Sequence, residues 1–126
     1  MNKKWTNMLY MRFPDIFKGR SKPLTESLMG FGIECGDGWY DLIWELCEAI
    51  EWQAIMEDVP LPEAIQVKEK FGGLRFYVTG ATHAMRKLID EAENRSESIC
   101  GVCGGQAEWV DTEGWIKTRC KQHLDS

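Results

Sequence analysis

Residues 65–79 read Ile65-Gln66-Val67-Lys68-Glu69-Lys70-Phe71-Gly72-Gly73-Leu74-Arg75-Phe76-Tyr77-Val78-Thr79. Ile65, Val67 and Phe71 alternate with polar residues, and so do Leu74, Phe76 and Val78. Period-two alternation on both sides of a Gly-Gly pair predicts a β-hairpin. A turn at Gly72-Gly73 sets Phe71 opposite Leu74, Glu69 opposite Phe76 and Val67 opposite Val78. That face is apolar except at Glu69. Lys68, Lys70, Arg75 and Tyr77 fall on the other face, which reads as solvated or as a contact for a nucleic-acid strand. A buried Glu69 needs a partner or takes up a proton, whereas a bulge at the turn swings it outward.

A helix is predicted on each side of the hairpin. From Trp39 to about Glu57, the residues Trp39, Ile43, Leu46, Cys47, Ile50 and Ala54 recur at three and four. Asp37 or Gly38 caps the start, Asp41 suits the positive end of the helix dipole, and Pro60 and Pro62 enforce the stop. Asp41, Glu45 and Glu48, extended backwards by Asp37, form an acidic stripe. Trp44, Glu51, Trp52 and Ile55 mark a further face. From Ala81 to about Ser98, the residues Met85, Leu88, Ile89 and Ala92 define a second apolar stripe. His83 near its start reads as structural, since no nucleophile motif accompanies it. Ile43, Leu46, Ile50, Phe71, Leu74, Phe76, Leu88 and Ile89 form the expected core.

Upstream, Trp5, Met8, Leu9 and Tyr10 suit a short helix ended by Pro14, and Asp15-Ile16-Phe17 suits a turn. Lys18 to Pro23 is a basic loop, either a solvated connection or an anion contact. The glycines from Gly30 to Gly38 do not make a phosphate loop. No Walker lysine is present, Cys35 stands where G-x-G-x-x-G requires its third glycine, and Glu34, Asp37 and Asp41 repel phosphate. The segment reads instead as a short strand with Phe31, Ile33 and Cys35 on one face.

The C-terminal segment carries the clearest chemistry. Cys100-Gly101-Val102-Cys103 is followed, after sixteen residues, by Cys120-Lys121-Gln122-His123. Two residues between cysteines let both thiolates reach one ion from a tight turn, and Cys-x2-His fits the first turn of a short helix. Trp109-Val110 and Trp115-Ile116 flank Asp111-Thr112-Glu113-Gly114 as a second hairpin. Three sulfurs and one imidazole form a closed tetrahedral set, the composition of structural zinc, with no position open for substrate. The fold class is therefore α+β. A helix, β-hairpin and helix core spans residues 1–98, and a small zinc-binding lobe over residues 99–126 packs on it.

Composition narrows the function classes. Hydrophobic residues make up 44% of the 126, with six Trp, which excludes a disordered chain. No apolar run of about 18 residues and no signal peptide is present, and five cysteines are an odd number for a disulfide framework. A soluble cytoplasmic protein with no membrane partner is expected. The net charge of −5 is uneven: residues 31–64 hold nine acids and no Lys or Arg. Such a segment disfavours general DNA binding and favours a basic partner surface or a metal ion.

Gly36-Asp37-Gly38-Trp39, then Val67 to Tyr77, then Cys-x2-Cys-Gly, Gly114-Trp115 and Cys120-x2-His123 resemble small proteins encoded widely by phages and prophages. The resemblance spans roughly residues 31 to 123. It implies an accessory protein acting in the bacterial host cytoplasm and carries over no catalytic residues. The Cys/His half also resembles treble-clef and ribbon zinc modules. The first reading of function is a non-enzymatic protein that binds a host protein through Asp37, Asp41, Glu45, Glu48, Trp44 and Trp52, in host takeover or counter-defence. The second is a nucleic-acid binder using Lys117, Arg119, Lys121, Lys68, Lys70 and Arg75. The third is a metal-dependent enzyme using Asp37, Asp41 and Glu45 as oxygen ligands.

Overall fold

The computed structural model describes all 126 residues and is α+β. Helix α1 (Lys3–Arg12) precedes strand β1 (Ile33–Glu34), helix α2 (Tyr40–Glu57), strands β2 (Glu63–Lys70) and β3 (Gly73–Thr79), and helix α3 (His83–Ser96). Strands β4 (Glu108–Thr112) and β5 (Trp115–Arg119) follow, then one 3-10 turn, Lys121–His123. The first three strands form a sheet in the order β1-β2-β3, and β4 and β5 form a separate ribbon. Parallel pairing of β1 with β2 requires a crossover, which α2 supplies. No helix is long and apolar enough to cross a membrane.

Helix α2 buries Leu42, Ile43, Leu46, Cys47, Ile50 and Ala54 against the sheet and α3. Asp58, left-handed at φ 53°, closes its C-terminus. Thr82 caps α3, which buries Met85, Ile89 and Ala92 on one face. Helix α1 and the segment after it bring Leu9, Phe13, Ile16 and Phe17 into the same core. Leu88 is half-buried at its margin.

Several expectations are corrected. The first hairpin turns at Phe71-Gly72, where both residues have positive φ (52° and 79°), rather than at Gly72-Gly73. Two positive-φ residues make the primed turn that matches strand twist. The pairing is therefore Glu69 with Leu74 and Val67 with Phe76. Each partner moves two places, so the faces keep their character, but Phe71 leaves the core and is 66% exposed. A bulge falls at Ile65, not beside Glu69. Glu69 lies half-buried and meets Arg119 Nη1 at 3.7 Å, so it gains a partner from the C-terminal segment. Phe31 ends a 3-10 turn, exposed, and Gly32 (φ 80°) separates it from β1. The basic loop is tied to the sheet through Lys22, whose Nζ sits 2.9 Å from Glu63, while Lys18 and Arg20 are exposed.

Candidate metal centre

The four C-terminal ligand candidates converge. The donor atoms of Cys100, Cys103, Cys120 and His123 all lie within 4.8 Å of one another. Cys103 Sγ to Cys120 Sγ is 3.7 Å, Cys100 Sγ to His123 Nδ1 is 3.8 Å, and Cys120 Sγ to His123 Nδ1 is 3.2 Å. Tetrahedral zinc with bonds of about 2.3 Å to sulfur and about 2.0 Å to nitrogen sets edges of about 3.8 Å and about 3.5 Å. The donor set and its spacing fit one metal ion, with His123 presenting Nδ1.

Local backbone chemistry builds this geometry. Cys100 N–H donates to Gly105 O at 2.7 Å and Gly104 N–H returns to Cys100 O at 2.9 Å, which folds Cys100–Gly105 into a knuckle. Gly104 at φ 80° permits the return. Gly105 N–H points at Cys103 Sγ at 3.4 Å. The ribbon turns at Glu113-Gly114, both at positive φ, and delivers Cys120 to the 3-10 turn that carries His123. Burial works against a thiolate at Cys100, but the N–H groups of Cys103, Cys120 and Val102 outweigh it and bring the thiol down to about 6. Cys35 differs, since burial pushes its thiol up to about 12, and burial raises Cys47 too. The five cysteines thus divide into two inert core thiols and three ligand candidates.

The lobe has almost no apolar core of its own. Within residues 99–126 only Cys100, Gly101, Ala107 and Thr118 are buried, and none joins the main hydrophobic cluster. Apolar burial within the lobe is therefore slight, and a metal ion held by the ligand set would add to its stability. The lobe is also bonded to the core. Gly38 N–H donates to Gly101 O at 3.0 Å, Trp39 Nε1–H to Ile99 O at 2.8 Å, and Thr118 Oγ1–H to Gly72 O. A Cβ at Gly36 would overlap Gly101 O, and one at Gly38 would overlap Cys100 O. The glycines of Gly36-Asp37-Gly38 therefore admit the knuckle, a role sequence reasoning missed. The signal was present as small residues with no phosphate chemistry.

No protein-family model, curated protein or solved structure matches the chain. Asp37, Asp41 and Glu45 line one cleft of about 480 Å3 beside the knuckle. Asp37 is held there by Asn2, whose backbone N–H and Nδ2–H reach its two oxygens at 2.7 and 2.8 Å. Glu45 meets Arg95 at 3.3 Å, while Asp41 and Glu48 are exposed. Trp44 is corrected as a surface residue: it is half-buried, with ring centroids 5.2 Å from Phe13 and 5.9 Å from Tyr40. Trp52 is 64% exposed. Of the basic candidates, Lys68 and Arg75 are half-buried cross-strand neighbours, and Lys70 is exposed. Arg119 is drawn to Glu69 and to Ser126 O, and Lys117 to Ser126 O, leaving Lys121 exposed.

Proposed function

We propose that this chain is a non-enzymatic, zinc-stabilised protein-binding module, whose recognition surface is the solvent stripe of α2. One observation carries the reading. Asp41, Glu45, Glu48, Trp52 and Ile55 follow at spacings of three and four, and Met56 lies four past Trp52, so all six share one face and span about 22 Å. Trp52, Ile55 and Met56 are 64%, 69% and 66% exposed. The stripe is acidic in its first half and apolar in its second. An exposed Trp among apolar neighbours, rimmed by like charges, has the composition of a binding hot spot. The partner chemistry that fits is a surface with basic residues beside an apolar pocket. Trp44 drops out because Phe13 and Tyr40 occupy it. The resemblance to phage proteins supports a host protein as partner, in host takeover or counter-defence.

Zinc is the metal that this donor set favours, and its role is to fix the lobe. Elemental analysis is expected to give one zinc per chain, lost in the double variant Cys103→Ser, Cys120→Ser. Unchanged metal content in that variant overturns the assignment. The surface is tested by capture from bacterial lysate and reconstitution with the purified partner. Asp41→Lys with Glu45→Lys should slow association and remove its salt dependence, and Trp52→Ser should speed dissociation, all with unchanged folding. Wild-type kinetics in both variants would rule the stripe out.

A further inference from the structure

The outer edges of β1, β3 and β5 are each capped in part by other groups of the protein, whereas β4 is uncapped along Trp109 and Asp111. On β3 the outward N–H of Leu74 donates to Ser96 Oγ at 2.9 Å, and that of Phe76 donates to Glu93 Oε2 at 2.8 Å. On β1 the outward carbonyls of Ile33 and Cys35 both accept from the Met1 amine. On β5 the outward carbonyl of Thr118 accepts from Gly101 N–H at 3.1 Å. The ribbon's two-residue turn makes Thr112 and Trp115 a hydrogen-bonded pair, and with them Val110–Lys117 and Glu108–Arg119. Trp109 and Asp111 must then direct their N–H and C=O groups away from β5. No turn, loop or side-chain hydrogen bond reaches these backbone atoms, and the same edge is closed one residue before β4, where Ala107 N–H donates to Ser98 O at 3.0 Å.

The open edge adjoins a cleft of about 570 Å3 whose apolar lining is Ala107, Trp109, Val110 and Leu124, with Arg119 and Lys121 on its far wall from β4. The cleft itself therefore suits an apolar side chain, and the acids that would meet Lys or Arg are those of the β4 strand and its turn. Trp109 is 56% exposed and Leu124 45% exposed. Cys103 and Cys120, two of the candidate metal ligands, also line the cleft, so a metal ion held there would fix its walls. From Ser96 to Ile116 the chain holds four acids (Glu97, Glu108, Asp111 and Glu113) and no Lys or Arg. None of Glu108, Asp111 and Glu113 has an ion-pair partner.

We propose that the β4 edge of the metal lobe accepts an extended basic segment of another protein as an added strand, with an apolar side chain of that segment in the cleft. Unpaired main-chain groups supply the ladder, the cleft takes alternate side chains, and the acidic strand selects Lys and Arg. This site is independent of the α2 stripe.

The probe is an eight-residue peptide alternating Lys and Val, titrated into the metal-loaded protein. Its counterpart alternating Glu and Val, and two forms N-methylated on every second amide in either register, are compared. The Lys-Val peptide is expected to bind and the Glu-Val peptide not. One N-methylated register should weaken binding at least tenfold, and the other should leave it nearly unchanged. Trp109→Pro deletes an outward amide that β5 does not use. It should weaken binding at least tenfold beyond Trp109→Ala, while retaining one metal equivalent. Equal binding of both N-methylated forms reduces the contact to charge alone and overturns the proposal, as does absence of binding by the Lys-Val peptide. A concentration-dependent dimer lost in Trp109→Pro would assign the edge to a second copy of this chain and also overturn it.

Discussion

At the scale of single residues, two positions test how close packing and burial set this structure. Gly38 sits where a Cβ would overlap Cys100 O, and its own N–H bonds Gly101 O. The obstacle is backbone that must also present a metal ligand, so it has no cheap way to yield. Gly38→Ala should therefore lower the thermal midpoint and weaken metal affinity together, which parallel melting and zinc-competition titrations would read. Glu93 tests burial of charge. Burial against β3 pushes its carboxyl above the usual glutamate range, partly opposed by Phe76 N–H and Arg75. A raised carboxyl favours the protonated form in the folded chain. Its stabilising contribution is present below the ordinary glutamate range and is lost as pH rises through the folded value. Glu93→Gln should therefore be at least as stable as wild type at pH 7, with the difference shrinking as pH falls towards the ordinary glutamate range. Urea midpoints of the two proteins measure it, and protonation of the metal ligands cancels between them.

At the scale of elements, α3 is both a core helix and the cover for an edge strand. Ser96 Oγ accepts from Leu74 N–H while donating to Glu93 O, and all of these groups sit where β3 would otherwise show an open ladder. Ser96→Ala leaves a buried amide without an acceptor and should cost about 1–3 kcal/mol in urea unfolding. A loss under about half a kcal/mol would mean that water reaches the edge. The elements themselves were legible in the sequence, because periodicity reports burial. Ile43, Leu46, Ile50 and Ala54 are all buried on α2, and Met85, Ile89 and Ala92 on α3. Register was not legible. Hydrophobic alternation fixes which face a residue takes but not its partner, so Gly72-Gly73 and Phe71-Gly72 were equally consistent with the pattern. The choice depends on whether Phe71 tolerates φ of 52°, and on the lobe that packs against Gly72. Likewise, Cys-x2-Cys and Cys-x2-His announced a four-ligand cluster through local spacing. The docking of that cluster on Gly36-Asp37-Gly38 joins residues about sixty positions apart and leaves no periodic trace.

At the scale of the whole molecule, the C-terminal lobe is joined to the core by a main-chain hydrogen bond, two side-chain-to-main-chain hydrogen bonds and an ion pair. The lobe reaches the core at three places: the start of α2 through Gly38 and Trp39, the β2–β3 turn through Thr118 and Gly72, and β2 itself through Arg119 and Glu69. The Arg119–Glu69 pair is half-buried and loses its geometry if β5 moves. With so little apolar burial of its own, the lobe should draw much of its order from a metal ion held by the ligand set, whose binding would then be folding energy. Chelation should therefore act beyond residues 99–126. Trp39 is fully buried, and its Nε1–H donates to Ile99 O immediately before the first cysteine. In the metal-free chain that indole N–H should exchange with solvent at least tenfold faster than in the metal-loaded chain. The amides of Ile43 and Ile50, deeper in α2, should keep most of their protection, because their burial rests on the sheet and α3. Hydrogen exchange followed by NMR separates the two regions in one experiment. Unchanged protection at Trp39 after complete metal removal would mean that the junction holds without the ion. Loss of protection throughout α2 would mean instead that the core cannot fold unless the lobe is closed.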